Sequence, residues 1–189
     1  MSAAPNVAVF DDVLADPAAY RHDALAHSFE THYAGGETWP GMAVCQSPGF
    51  VAWLAGTLPS VTFTLSLLRQ SPHGQLEPNF IHTDGMMGDW TAILYLSAEP
   101  APGDGTRFWR HRETGAVESP SADSTSVEHA AWRDAAQWEP WHYVKAQFNR
   151  AVIFPARYFH SRALRSNYGQ GQNARLIQVA FGANKGKDD

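Results

Sequence analysis

From Val61 onward the chain alternates apolar and polar residues with a period of two. Val61, Phe63, Leu65 and Leu67 are separated by Thr62, Thr64 and Ser66, a pattern that places every second side chain on one buried face of a strand. Further strands are expected from Thr91 to Ser97, apolar on both faces and therefore central, and over Thr106-Arg107-Phe108-Trp109, entered through the turn Pro102-Gly103-Asp104-Gly105. His142 to Gln147, Ala151 to Phe154 and Arg175 to Phe181 complete the set. Before Val61 the pattern differs. Val7 to Phe10 reads as a short strand, and two helices follow, each announced by a capping residue and a proline: Asp16-Pro17 and Ser47-Pro48. The first carries Tyr20, Ala24, Leu25 and Phe29 at helical spacing, and the second Phe50, Val51, Leu54 and Leu58. Gly35-Gly36 reads as loop.

Helices first and many short strands afterwards predict a mainly β protein with N-terminal helices, a jelly roll with a helical buttress. A sandwich of different connectivity would share the pattern. The 189 residues suit one domain over 1–189. A hydrophobic fraction of 44% supports a sizeable core, and seven Trp, ten Phe and six Tyr suggest broad packed faces or an aromatic-lined cavity. The formal charge of −5 comes with no run of Lys or Arg, which argues against nucleic acid and anionic membrane as partners. Apolar runs such as Ala92 to Leu96 are too short to cross a bilayer, and no basic leader precedes an apolar segment at Met1-Ser2-Ala3-Ala4-Pro5-Asn6, so a cytoplasmic location is expected. Cys45 is the single cysteine, which excludes an internal disulfide and cysteine-based metal clusters. Nothing beside it would activate the thiol, so it reads as a buried, inert side chain.

Two stretches carry chemistry. His82-Thr83-Asp84 presents an imidazole and a carboxylate two residues apart, and in a strand both project to one side. His160 follows the apolar run Ala151 to Phe154 and Pro155, where a turn would aim it back inward. Two His and one carboxylate can hold one face of an octahedral Fe(II) and leave the other open. His111-Arg112-Glu113 is a rival pair, but Arg110 and Arg112 flank it and repel a cation. A 2-oxo acid chelating such a metal needs a fixed cation for its far carboxylate. Arg175, opening an apolar strand, is the first candidate, and Arg162 the second. Tyr95 and Thr106 are candidate hydrogen-bond partners for that co-substrate, while Trp90 and Trp109 read as packing. His73, His129 and His142 have no ligand-spaced partner.

In order along the chain, His82-Thr83-Asp84, Tyr95-Leu96-Ser97, Gly105-Thr106-Arg107-Phe108, Ala151-Val152-Ile153-Phe154, His160 and Arg175 resemble the motifs of the Fe(II)/2-oxoglutarate-dependent dioxygenases. The likeness is to the prolyl-4-hydroxylase-like branch, in a small bacterial group. The opening Phe10-Asp11-Asp12-Val13-Leu14 is similar too. Two departures stand out: Ser97 replaces the usual Asn, and the gap from His160 to Arg175 is longer than usual. The resemblance implies a double-stranded β-helix, Fe(II) on His82, Asp84 and His160, and 2-oxoglutarate and dioxygen as co-substrates. It further implies hydroxylation of an unactivated C–H of a small molecule, amino acid or peptide. Asp84 argues against the halogenating relatives, in which a small residue replaces the carboxylate. The polar stretch 112–141 is expected to be a loop or broken helix, placed to act as a lid. Two other readings stay open: a cupin-like metalloenzyme that uses no 2-oxo acid, and a noncatalytic binding barrel. The sequence sets no oligomeric state.

Overall fold

The sheet-forming half of the chain builds two facing antiparallel sheets, the larger of which carries the helices on its outer side. The structure is a computed structural model that describes residues 6–34, 37–45, 48–75, 81–120 and 134–186. The elements are β1 (Ala8–Phe10), α1 (Pro17–Leu25), β2 (Glu30–Ala34), β3 (Glu37–Val44), α2 (Pro48–Thr57), β4 (Val61–Ser71), β5 (Trp90–Tyr95), β6 (Gly105–His111), β7 (Trp138–Lys145), β8 (Ala151–Pro155), β9 (His160–Arg162) and β10 (Arg175–Asn184). The large sheet runs β1-β8-β5-β10-β4-β3-β2, and the small sheet β7-β6-β9. Among the described residues no helix is long and apolar enough to cross a membrane.

The helices form where their caps dictate. The Asp16 carboxylate accepts from the Ala19 amide at 3.0 Å, and Pro17 occupies the first helical position. Ala24 is buried on α1, but the helix ends at Leu25, so Phe29 lies beyond it in the approach to β2. In α2, Phe50 and Leu54 are fully buried against the large sheet. Burial of side chains of this size stabilises by about 1.5–3 kcal/mol each. Ser47 and Gly35-Gly36 lie outside the described residues. A buried polar chain also ties α1 to the sheet. The Tyr20 hydroxyl donates to Gln178 Oε1 at 2.7 Å, and Gln178 Nε2 donates to Ser66 Oγ at 2.8 Å.

Alternation on the central strands divides the core in two. Ala92, Leu94 and Leu96 face the helices together with Leu176 and Ala180. Ile93, Tyr95 and Ile177 face the small sheet together with Phe108, Val144, Val152 and Phe154. β5 is buried on both faces, as its unbroken apolar run predicts. A third cluster, Ile81, Trp109, Trp138 and Phe159, lies on the outer side of the small sheet. Trp109 is therefore packing, as is Trp90, which lies partly buried against the helix-side core. Cys45 is buried in that same core, as expected of an inert thiol.

Two expectations need correcting. The hairpin β2–β3 was not anticipated; its sequence, with Pro40 and Gly41, lacks the alternation that marks β4. The stretch 112–141 is not one loop, because β7 begins at Trp138, ahead of the expected His142. A register shift at Phe108/Trp109 explains the miss, since it breaks the period-two pattern of β7. Residues 121–133 of that stretch, with His129, lie outside the described residues. The turn that Pro155 introduces is in place, and His160 follows it at the start of β9 with its side chain buried.

Candidate metal centre

The cross-strand register fixes which side chains share the space between the sheets. Thr91 pairs with Phe154 and Phe181, Ile93 with Val152 and Val179, and Tyr95 with Ile177. Opposite them, Phe108 pairs with His160 and Thr106 with Arg162. One level of this interior thus holds Thr91, Phe154 and His160, and a deeper one holds Tyr95, Thr106 and Arg162.

His82 and His160 are joined through their backbones. Each donates its amide to the other's carbonyl, at 3.0 and 2.9 Å, in an isolated antiparallel bridge. Their rings lie 4.5 Å apart. Asp84 does not continue an extended strand. Its φ and ψ are −105° and 17°, and a short 3-10 turn begins at Gly85. The Asp84 amide donates to Ala156 O at 2.7 Å, which fixes this departure. The carboxylate nevertheless meets both rings: Oδ2 is 3.2 Å from His160 Nε2, and Oδ1 is 3.9 Å from His82 Nε2. One ligand atom from each of the three residues lies within 4.8 Å of the others, the sole such group among the described residues.

The surroundings suit these atoms for a metal. His160 Nδ1 lies 2.9 Å from Tyr158 O. A carbonyl can only accept, so Nδ1 carries a hydrogen, which leaves Nε2, facing Asp84, as the nitrogen that binds a metal once it is deprotonated. Thr91 Oγ1 donates to Asp84 Oδ2 at 2.9 Å and orients the carboxylate. Burial works to raise the Asp84 pKa, but the neighbouring His160 and His82 and the Thr91 hydroxyl outweigh it and hold it at about 2. Burial disfavours the His160 imidazolium, yet the Asp84 carboxylate raises its pKa overall. Phe154 packs edge-on at 4.8 Å from the His160 ring. Two imidazole nitrogens, free to bind once deprotonated, and one ionised oxygen, with partly exposed His82 and Asp84 side chains, form a donor set that suits a divalent first-row metal.

The rival pair does something else. His111 sits against Thr114 Oγ1 at 3.1 Å and Gln137 Oε1 at 3.3 Å, and Arg112 reaches Glu139. Neither His111 nor Glu113 joins a ligand cluster among the described residues.

Deeper in the interior, the Tyr95 hydroxyl and Thr106 Oγ1 are 2.6 Å apart. Burial, ahead of any charge, raises the Tyr95 pKa and keeps the phenol neutral. Arg175 is buried, as its place at the head of an apolar strand predicts, but it already has a carboxylate partner. Its Nε lies 3.0 and 3.1 Å from the two oxygens of Asp104. Asp104 Oδ1 also accepts from the Gly105 amide at 2.7 Å, and Oδ2 from the Tyr168 hydroxyl at 2.8 Å. Arg162, also buried, turns its guanidinium to Gln75 O at 3.0 Å and to Arg165 O. Asp104, Thr91 and Tyr168 are the site-side residues that sequence reasoning missed. Asp104 was legible only as a turn residue.

This two-sheet fold is shared by solved structures that include non-haem, 2-oxoglutarate-dependent enzymes. The 2-oxoglutarate-dependent epimerase SnoN from nogalamycin biosynthesis matches with a TM-score of 0.58 at 16% identity, over 97% of this chain and 82% of that one. The carbocyclase SnoK from the same biosynthesis matches at 0.60 and 15%, over 94% and 79%. HygX from Streptomyces hygroscopicus, with nickel and 2-oxoglutarate bound, matches at 0.54 and 13%, over 97% and 84%. At these identities the likeness is one of fold. By sequence, residues 56–176 match the family model described as "Family of unknown function (DUF6445)", and the chain belongs to that family. No curated protein matches it.

Proposed function

We propose that this protein is a non-haem Fe(II)- and 2-oxoglutarate-dependent oxygenase, one domain over residues 1–189 with a double-stranded β-helix at its heart. In this reading it hydroxylates an unactivated C–H of a small molecule, amino acid or peptide. The meeting of His82, Asp84 and His160 around one point carries the reading. The bound cofactors named for SnoN and HygX support it, and the motif order supports a place near the prolyl-4-hydroxylase-like branch. Hydroxylation is the default outcome of this reading; desaturation, ring closure and epoxidation use the same iron, and the names of SnoN and SnoK are those of an epimerase and a carbocyclase. A cytoplasmic location fits the lone buried thiol.

His82 Nε2, an Asp84 oxygen and His160 Nε2 would hold the iron. Iron with 2-oxoglutarate and dioxygen, when bound, supplies a two-electron oxidant, and the 2-oxo acid leaves as succinate and carbon dioxide. The chain itself positions and excludes. Thr91 holds the Asp84 carboxylate in one orientation, and the Tyr158 carbonyl holds the His160 ring. Arg175 directs its Nε at Asp104, and its Nη atoms make no hydrogen bond among the described residues, which leaves them for the far carboxylate of 2-oxoglutarate. Tyr95 and Thr106 serve as neutral hydrogen-bond partners beside it, and Arg162, one cross-strand step from Thr106, is the second cation. Ile93, Val152 and Phe154 keep the space between apolar and dry.

One observation favours a second reading. Asp104 already neutralises Arg175, as a cupin-like metalloenzyme with no 2-oxo acid would require. Succinate release separates the two. The oxygenase reading expects release that needs Fe(II), 2-oxoglutarate and air together, and that falls steeply in Arg175→Met. Metal-dependent turnover indifferent to 2-oxoglutarate would favour the second reading, and metal-free ligand binding alone would leave a binding barrel.

A further inference from the structure

β7 contains a device that the metal centre does not use. Trp138 packs in the cluster outside the small sheet, whereas Val144, six residues on, packs in the cluster between the sheets. In an uninterrupted strand the two would share a face. They do not, because Phe108 pairs with His142 and Trp109 with Pro140, which leaves Trp141 as an extra residue. Such a bulge re-aims side chains, and bulges concentrate beside functional sites. Here it brings two consecutive rings, Trp141 and His142, to the interior side.

There they continue the wall of the metal centre. The Trp141 ring lies 6.3 Å from Phe108 and 6.1 Å from Tyr158, both edge-on. His142 lies 5.6 Å from Phe108, and Phe108 lies 6.5 Å from His160 on its other side. Trp141 Nε1 is buried and has no hydrogen-bond partner among the described residues. A buried donor left unmade costs about 1–3 kcal/mol, and native structures seldom carry one without a reason. Burial also lowers the His142 pKa and favours its neutral ring. No ionised side chain belongs to this ring wall. The charged groups that border it are paired among themselves: Asp84 with His160 at the metal centre, and Arg175 with Asp104 deeper in the interior.

We propose that Trp141, His142, Phe108 and Tyr158 form the substrate wall of the site, and that it takes an uncharged, ring-bearing molecule whose acceptor oxygen receives the Trp141 indole N–H. Ring faces supply edge-to-face partners for a flat ligand, and the buried N–H fixes its register. A charged ligand would find no counter-ion there. The proposal rests on the oxygenase reading for its meaning as a substrate site, but not for its test.

Acetophenone, a flat ring with one carbonyl, and ethylbenzene, nearly its shape without the acceptor, serve as probes in ligand-observed NMR. Wild-type protein is expected to bind acetophenone about three- to tenfold more tightly than ethylbenzene, the worth of one neutral hydrogen bond. Loading the protein with Mn(II) should broaden the acetophenone ring protons, which places the probe beside the metal. Trp141→Phe keeps a ring and deletes the donor, so it should weaken acetophenone more than ethylbenzene and remove the preference. Equal affinity of the two probes for wild type, no broadening, or equal weakening of both by Trp141→Phe would overturn the proposal. The wild-type comparison stands even if the variant does not fold. A separate 2-oxoglutarate titration tests the oxygenase reading: discriminating probe binding without 2-oxoglutarate binding keeps the wall and removes the oxygenase.

Discussion

Arg175 Nε and the Asp104 carboxylate form a buried ion pair, 3.0 Å apart, with side-chain exposures of 5% and 1%. Removing one partner strands the other charge in the interior. Asp104→Ala is expected to destabilise the fold by about 3–5 kcal/mol in urea denaturation. Replacing both, as Asp104→Leu with Arg175→Met, should restore most of that loss. A double variant as unstable as the single one would contradict this account of the pair.

Gly105 holds the corner from which β6 starts. Its φ is 153°, and a Cβ there would lie 2.1 Å from Val144 O. That neighbour is strand backbone and cannot yield cheaply. Gly105→Ala should cost on the order of 3 kcal/mol and displace Asp104 and Thr106 together. Wild-type stability with unchanged 2-oxoglutarate affinity would show that the corner is not tight.

Thr91 touches the centre through one hydrogen bond only. Thr91→Val preserves shape and deletes the donor to Asp84 Oδ2. Metal affinity, measured by competition with a chelator, should fall about tenfold while thermal stability changes little. An unchanged affinity would mean that the carboxylate needs no such orientation.

The pH dependence of the metal-free protein follows from the two coupled groups. The Asp84 pKa is held at about 2, below its ordinary 3.8. It therefore contributes stability that is present above pH 3.8 and is lost as the pH falls towards 2. His160 is raised above its ordinary 6.5, so its contribution is complete below that value and is lost as the pH rises through the folded one. The urea midpoint of the metal-free protein should thus be higher at about pH 5 than at about pH 8. Divalent metal should reverse that order, because the imidazoles bind it only when deprotonated. Equal midpoints at the two pH values would contradict the pairing of Asp84 with His160.

Much of this was legible in the sequence wherever one physical rule acted alone. β4 and β5 were readable because burial on one face or both leaves an unbroken pattern. Asp16 and Pro17 set the start of α1 for the same reason. Where two influences compete, the sequence misleads. The bulge on β7 cancels its alternation, so Trp138 to Trp141 look like loop residues. Asp84 was expected on a strand, but a long-range hydrogen bond to Ala156 O turns it away from one, and no local signal announces that bond. Arg175 was expected to meet the far carboxylate of a 2-oxo acid; the fold gives its Nε a carboxylate from the chain itself. That the carboxylate is Asp104, within a Pro-Gly-Asp-Gly turn, depends on a contact 71 residues away in sequence.

The most direct test of the central claim is an anaerobic titration of Fe(II)-loaded protein with 2-oxoglutarate, followed by visible absorption. The account predicts a weak charge-transfer band near about 500 nm that saturates stoichiometrically and is absent in His160→Ala. Tight Fe(II) binding with no such band, or a band that survives the loss of His160, would contradict it.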